Sequence, residues 1–442
     1  MWERRHLIGG LLAAVSFLPA NVWAQGLIVP GAGARNRSMA GASTAAPLDA
    51  AGASYWNPAA IGGLAKDQFY FSAELVYCDT NTSSFVPAGA VIPPAASGGP
   101  FPPTDQGGTT FSDSGLAALP TIALIYHPEN PRVTIGLGVF AAIGGTANFA
   151  GDPTNPVFTP HNPPPQFGGT GSPPYTFGFG PQYSSAAALQ LAPIIAYRCT
   201  DRLTIGGGPT IDMMSLTFDP AFFAARNSNG TFPPATHGRP FWGGGFQAGV
   251  FYELNPCWNF GLSYKSEQWF ETFHYNSADE TGVALDIFLD YSLPSIVSFG
   301  VAYRGFRNTI LAFDLRYLDY AAASTLGEPV SAGGTAWQSI FAAAFGMQYQ
   351  FNDKLSFRMG LLVSENPIAN TATLFNVELP TINQYQFSLG MTTRLGRKLS
   401  LDFAWVHGFE NSIEGPIGQV PGTTVGIDQS LDSWIFGLGC DY

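Results

Sequence analysis

The sequence predicts an all-β chain, a transmembrane antiparallel β-barrel of about fourteen strands with an N-terminal plug inside its lumen. Three observations carry that expectation. From about residue 67 onward, segments of roughly ten to twenty residues alternate apolar with small or polar side chains, the period that sends successive residues to opposite faces of a strand. The breaks between these segments alternate in kind, a short polar turn and then a long loop, as in barrels whose two rims differ. The composition is apolar yet poor in charge: 46% of residues are hydrophobic and 14% aromatic against 11% charged, where a soluble domain carries about a quarter. Outside the N-terminus no apolar run reaches the roughly 18 residues that a spanning helix needs. A net charge of −12 disfavours nucleic acid as a partner, because neutralising phosphates takes clustered Lys and Arg.

Residues 1–24 read as a secretory signal peptide: Arg4 and Arg5, an apolar stretch from Leu7 to Leu18, then Pro19 and Val22-Trp23-Ala24 ahead of a cleavage site. A retained anchor is the competing reading. The four cysteines, Cys78, Cys199, Cys257 and Cys440, show no CxxC spacing, so a metal site is not expected; a single bridge is not deducible from spacing. Residues 25–66 are dominated by small side chains and lack alternation. Such a segment cannot build a core alone, but it suits the crowded interior of a barrel; a disordered tail is the alternative.

Residues 67–442 form the expected barrel. Leu399, Leu401, Phe403 and Trp405 oppose Ser400, Asp402 and Ala404; Leu311, Phe313, Leu315 and Tyr317 oppose Asp314 and Arg316. Polar turns fall at 127–131, 199–202, 255–257, 305–308, 351–354 and 396–398. Long loops fall at about 80–112, 150–182, 219–239, 275–281, 321–334, 367–380 and 412–427. An even count requires 282–304 to be one long strand with Pro294 at an irregular point. The final strand, about 428–442, aligns Trp434, Phe436, Leu438, Cys440 and Tyr442 on one face and must pair with the first, because lipid tolerates no open edge.

Specific motifs sharpen this reading. Arg37-Ser38-Met39-Ala40-Gly41-Ala42, Asp49-Ala50-Ala51-Gly52-Ala53 and Tyr55-Trp56-Asn57-Pro58-Ala59-Ala60 precede the first strand. Leu119-Pro120, Leu293-Pro294, Phe357-Arg358-Met359-Gly360, Asn366-Pro367 and Leu379-Pro380 follow in order. Together they resemble the FadL-type transporters, outer-membrane channels for long-chain fatty acids and other hydrophobic compounds. The resemblance implies a hatch closed by Asn57, Pro58 and Ala59, ligand capture in the outer loops, and sideways release where the third strand kinks. It implies a monomer that meets a hydrophobic small molecule, outer-membrane lipid and, during biogenesis, the barrel assembly machinery.

Candidate residues follow. In the third strand, about 131–149, the adjacent Gly144 and Gly145 permit a bend; tight packing against the plug is the equal alternative. Loop 219–242 offers Phe222, Phe223, Phe232, Phe241 and Trp242 with Arg226, His237 and Arg239, an apolar landing site with cations for a carboxylate. For Phe241 and Trp242 a membrane-interface aromatic belt competes. Lys265, Asp314, Arg316, Arg358, Arg394 and Asp402 fall on lumen faces, where plug-anchoring ion pairs are expected ahead of carboxylate recognition. None of the six His lies beside a nucleophile motif such as GxSxG, so no catalytic residue, cofactor or metal is expected. A general porin and an adhesive barrel are the alternative functions, and the Pro-rich loops 80–112 and 150–182 depart from the family's pattern.

Overall fold

The computed structural model describes residues 25–90, 101–163, 175–236 and 238–442. The expected signal peptide and His237 lie outside the described residues. Fourteen strands form a closed antiparallel barrel. They are β1 (Gln68–Val86), β2 (Gln106–Phe111 and Leu116–Tyr126), β3 (Val133–Phe149), β4 (Gln182–Arg198), β5 (Leu203–Asp219), β6 (Phe241–Asn255) and β7 (Trp258–Lys265 and Gln268–Phe270). The second half comprises β8 (Ser292–Leu293 and Ser295–Tyr303), β9 (Thr309–Asp319), β10 (Ile340–Gln350), β11 (Leu355–Ser364), β12 (Tyr385–Leu395), β13 (Leu399–Gly415) and β14 (Thr424–Asp441). Each strand pairs with the next, and β1 closes on β14 from Gln68↔Asp441 to Phe85↔Thr424. Closure leaves neither terminal strand as an open edge, the condition for burying a sheet in lipid.

Alternation sorts the faces as the pleat requires. On β14 Trp434, Phe436 and Leu438 are exposed, while Ser433 and Ile435 are buried. On β9 Phe313 and Leu315 are exposed, and Ala312, Asp314 and Arg316 are buried. The apolar row therefore faces lipid and the polar row faces a filled lumen, the reverse of a soluble protein. No helix among the described residues is long and apolar enough to cross a membrane.

Two boundaries differ from the sequence expectation. Residues 282–304 are not one strand: Ala284–Leu289 pairs with Phe273–Ala278 in a separate hairpin, and β8 begins only at Ser292. Pro294 separates the two pieces of β8, because it has no N–H for the ladder. The long loops are also shorter than expected on one side, where β1 continues to Val86, β13 to Gly415, and β14 starts at Thr424. At about 3.3 Å per residue β1 spans roughly 60 Å, well beyond an apolar band of about 25 Å. Above the membrane neither face needs large apolar residues, so Thr80, Thr82 and Ser84 extend the strand without the oily alternation that signals one.

Residues 25–64 pack inside the barrel. They form α1 (Gly33–Arg37), α2 (Ala50–Trp56) and a 3₁₀ turn, Pro58–Gly63. Asp49 caps α2 by accepting from Gly52 N at 2.8 Å. Ala45, Ala46, Ala50, Ala51 and Ala53 are essentially buried, so backbone meets wall with little side chain between. The wall answers with glycine: a Cβ on Gly249 would collide with Asn57 Oδ1, and one on Gly261 with the Thr44 carbonyl. Glycine costs a strand about 0.5–1 kcal/mol, a price accepted here for close approach.

Candidate ligand pathway through the lumen

Asn57 ties the N-terminal segment to the wall. Its Oδ1 accepts from Ala59 N at 3.0 Å, and its Nδ2 donates to the carbonyls of Thr44 at 2.8 Å and Val250 at 3.0 Å. Pro58 occupies the first position of the 3₁₀ turn, where a missing N–H costs nothing, and Ala59 is fully buried beneath it. Only an Asn offers donor and acceptor at this length, which explains the residue order.

Ion pairs hold the rest of the segment. Asp314 Oδ2 accepts from Ser43 N (2.9 Å), Thr44 N (3.0 Å) and Thr44 Oγ1 (2.8 Å). Arg316 reaches Asp314 Oδ2 at 2.8 Å and the Gly41 carbonyl at 2.6 Å, with its guanidinium 3.7 Å above the Trp56 ring. Asp402 pairs with Arg35 at 3.0 Å, and Glu74 with Arg37 at 2.8 Å. Arg358 does not touch the segment through a hydrogen bond; it donates to Gln348 (2.7 Å) and Thr392 (2.8 Å), and Thr392 in turn donates to Asp402. Arg394 departs from its expected setting: it is exposed near the turn at 396–398, beyond the end of the packed segment. Lys265 donates to Gln190 at 2.9 Å and lies 4.7 Å over the Tyr55 ring. Sequence reasoning missed Arg35 and Glu74 and gave Arg37 no anchoring role, although the two arginines stand in a small-residue stretch whose other charges are Asp49 and Lys66. No group of three or more His, Cys, Asp or Glu among the described residues could hold a metal, and the four cysteines are free.

The wall is incomplete between β2 and β3. Their ladder runs only from Tyr126↔Ile135 to Thr121↔Phe140, and contact resumes at the isolated bridge Ser112↔Phe149. Between these points β3 pairs with β4 alone, and a register shift between Ala141 and Ile143 marks a bulge. Val29 N donates to the Ala142 carbonyl at 3.2 Å, joining the bulge to the N-terminal segment. The irregular residue is therefore Ala142, and Gly144 and Gly145 follow it within the ladder to β4. A Cβ on Gly144 would strike Leu119, whereas one on Gly145 meets nothing within 4 Å. Two cavities adjoin here. An inner one of about 160 Å³ and an outer one of about 360 Å³ share Leu119, Gly144, Gly145, Thr146 and Ala186.

At the loop end, aromatic rings cluster. Phe222 lies 5.2 Å from Phe232 and 5.0 Å from Phe179, Phe223 lies 5.5 Å from Phe218, and Arg226 stacks 4.7 Å over Phe232. Trp242 does not join them. It is 58% exposed on the outer face, whereas Phe241 is buried against Phe273 at 4.3 Å. Neighbours on a strand point to opposite faces, so the pair cannot serve one pocket. Arg239 is held by Glu271 at 2.7 Å and 2.8 Å, and that guanidinium pulls the Glu271 carboxyl down to about 2. Below the cluster, Glu378 and Leu379 line both a small cavity edged by Phe222 and Phe223 and the inner cavity. Burial, together with the nearby Asp219 charge, holds the Glu378 carboxyl well above the usual carboxylate range.

Comparison with known proteins places this architecture. The family profile described as outer membrane protein transport protein (OMPP1/FadL/TodX) matches residues 175–442. The long-chain fatty acid transport protein of Salmonella typhi is 23% identical over 226 residues, 46% of this chain and 49% of that protein. Its Escherichia coli K12 counterpart is 23% identical over 229 residues, covering 46% and 48%. The chain thus spans about half the length of the curated relatives it matches. Among solved structures, the Pseudomonas putida toluene transporter TodX superposes with a TM-score of 0.66 at 14% identity, over 93% of this chain and 99% of that one. A Pseudomonas aeruginosa FadL homologue superposes at 0.65 with 16% identity, over 94% and 99%. At such identities the structural likeness speaks for the fold alone. With a profile match over more than half its length and a closed fourteen-strand barrel, the chain belongs to the OMPP1/FadL/TodX family of outer-membrane transport proteins and is a multi-pass β-barrel of the outer membrane.

Proposed function

We propose that this protein carries hydrophobic compounds inward across the outer membrane. Loop aromatics around Phe222, Phe223 and Phe232 capture the compound, the inner cavity receives it, and it leaves sideways between β2 and β3. Residues 25–64 act as the hatch that keeps the lumen from being an open aqueous pore. The observation that carries this reading is the meeting of the inner and outer cavities at Leu119, Gly144 and Gly145, where the ladder is interrupted. Each buried CH₂ is worth about 0.8 kcal/mol, so a greasy molecule gains by staying against apolar walls and moving directly to lipid. Relatives named for long-chain fatty acid transport support a hydrophobic cargo.

The test is uptake of a radiolabelled hydrophobic compound by cells expressing the chain in a strain without other such channels. Gly145→Trp, which fills the window, should reduce uptake at least tenfold while the barrel still assembles. Unimpaired uptake refutes sideways release. Swelling of proteoliposomes in small sugars, with no hydrophobic uptake, identifies a general porin instead.

A further inference from the structure

At the short-turn rim, the periplasmic one in an outer-membrane barrel, two arginines stand face to face. Val133 on β3 pairs with Tyr197 on β4, and one step further Arg198 N donates to the Arg132 carbonyl at 2.8 Å. Arg132 and Arg198 therefore oppose each other on neighbouring strands. Both continue the row of Thr134 and Ala196, which are buried, so both side chains belong to the lumen face. Directly opposed residues have Cβ atoms about 5 Å apart, and like charges in that relation destabilise a sheet.

Among the described residues no carboxylate offsets them. Arg198 is half-buried and donates through Nη2 to the Gly62 carbonyl at 2.8 Å, a neutral partner. Arg132 is exposed, and its guanidinium makes no hydrogen bond or ion pair among the described residues. Asp67 is taken by His127 Nδ1 at 2.8 Å. Glu129 and Asp201 are exposed in the turns at 127–131 and 199–202 and pair with neither arginine, while Arg202 adds a further positive charge beside Asp201.

The two arginines edge a pocket. Its floor carries Thr134 and Thr204, its inner side is Gly62 and Leu64 where the N-terminal segment leaves the lumen, and its far side is His127. No carboxylate lines it, and it shares no lining residue with the inner or the outer cavity. The His127 ring is already engaged, because its Nε2 meets the Leu64 carbonyl at 3.1 Å while Nδ1 meets Asp67. The donors left for a guest are the remaining guanidinium N–H groups of Arg132 and Arg198. Each guanidinium is a planar fork matched to two oxygens of one carboxylate or phosphate.

We infer that this pocket binds a single oxyanion, a phosphate or carboxylate group, clamped between Arg132 and Arg198 beside the end of the N-terminal segment. Because Arg198 also holds the Gly62 carbonyl, occupancy couples the oxyanion to the anchoring of that segment. It requires nothing of the cargo or of the route by which cargo leaves.

Inorganic phosphate is the probe, titrated into the full chain in detergent against chloride at equal ionic strength, with amide exchange read across 61–66 and 132–134. At phosphate about ten times its dissociation constant, exchange there should slow about tenfold while strand amides elsewhere keep their rates. Arg132→Gln changes an exposed side chain with no partner to lose, and it should weaken phosphate by about tenfold or more, the loss of charge-assisted bonds. The wild-type comparison of phosphate with chloride stands without the variant, so a variant that fails to fold does not decide the outcome. The same exchange read in nanodiscs of phosphatidylglycerol and of phosphatidylcholine assigns the source. Protection in phosphatidylglycerol alone, without added phosphate, makes the oxyanion a lipid headgroup; protection by phosphate in both makes it a soluble anion. Phosphate acting no differently from chloride with no protection in phosphatidylglycerol overturns the inference, and so does Arg132→Gln binding phosphate as tightly as wild type.

Discussion

Asp314→Ala should release the N-terminal segment without unfolding the barrel. The carboxylate accepts three hydrogen bonds from Ser43 and Thr44 and neutralises Arg316, whose side chain is fully buried. Removing one partner of a buried pair costs about 3–5 kcal/mol. The lower end applies, because Arg316 keeps the Gly41 carbonyl at 2.6 Å and the Trp56 face at 3.7 Å. A cost of about 3 kcal/mol raises the population of the undocked segment roughly 150-fold. Amide hydrogen exchange in detergent reads this directly: residues 38–49 should lose protection by about that factor, while the strand amides of β9 and β10 stay protected. Planar-bilayer conductance for small ions should rise in parallel. Replacing both members, Asp314→Leu with Arg316→Leu, should recover much of the protection, since it leaves no charge unpaired. Exchange at 38–49 within threefold of wild type, or protection lost evenly around the barrel, refutes the reasoning.

Further outcomes follow from the same contacts. Asn57→Ala removes a cap and the Nδ2 bonds to the Thr44 carbonyl of the segment and the Val250 carbonyl of the wall, so exchange across 57–63 should quicken by a factor corresponding to about 1–3 kcal/mol. Trp242→Ala should leave ligand affinity unchanged, because its ring faces outward; a large fall in affinity would place it in the capture site after all. Glu378 gives a pH signature. Its folded value is raised, so its contribution to stability is complete below the ordinary carboxylate range of about 4.3 and is lost as pH rises through the raised value. Thermal midpoints of wild type should therefore fall relative to Glu378→Gln as pH rises above the ordinary carboxylate range, and parallel curves would contradict the assignment.

The parts of this molecule that were legible in the sequence are those decided by neighbours along the chain. Strand alternation and polar turns follow from the pleat and from turn chemistry. The 25–66 segment showed itself by what it lacks, large side chains. Alternation also placed Asp314, Arg316, Arg358 and Asp402 on the lumen side, where they are buried. It could not see that β1 and β14 continue above the membrane, because there the apolar face that marks a strand is no longer needed. Nor could it foresee that 284–289 would fold onto 273–278 instead of extending β8.

By itself, then, the chain's order of residues determined a closed sheet with an oily exterior and a small-residue beginning suited to its interior. Tertiary structure alone decided the pairings and the spaces. Arg35 meets Asp402 across 367 positions, Arg37 meets Glu74, and Gln25 and Glu378 come to line one cavity. The same holds for the interruption between β2 and β3, which depends on where the bulge at Ala142 meets Val29 of the segment within. The physical reason is range. A pleat is imposed residue by residue, whereas a lumen site exists only once closure has set distant faces opposite one another.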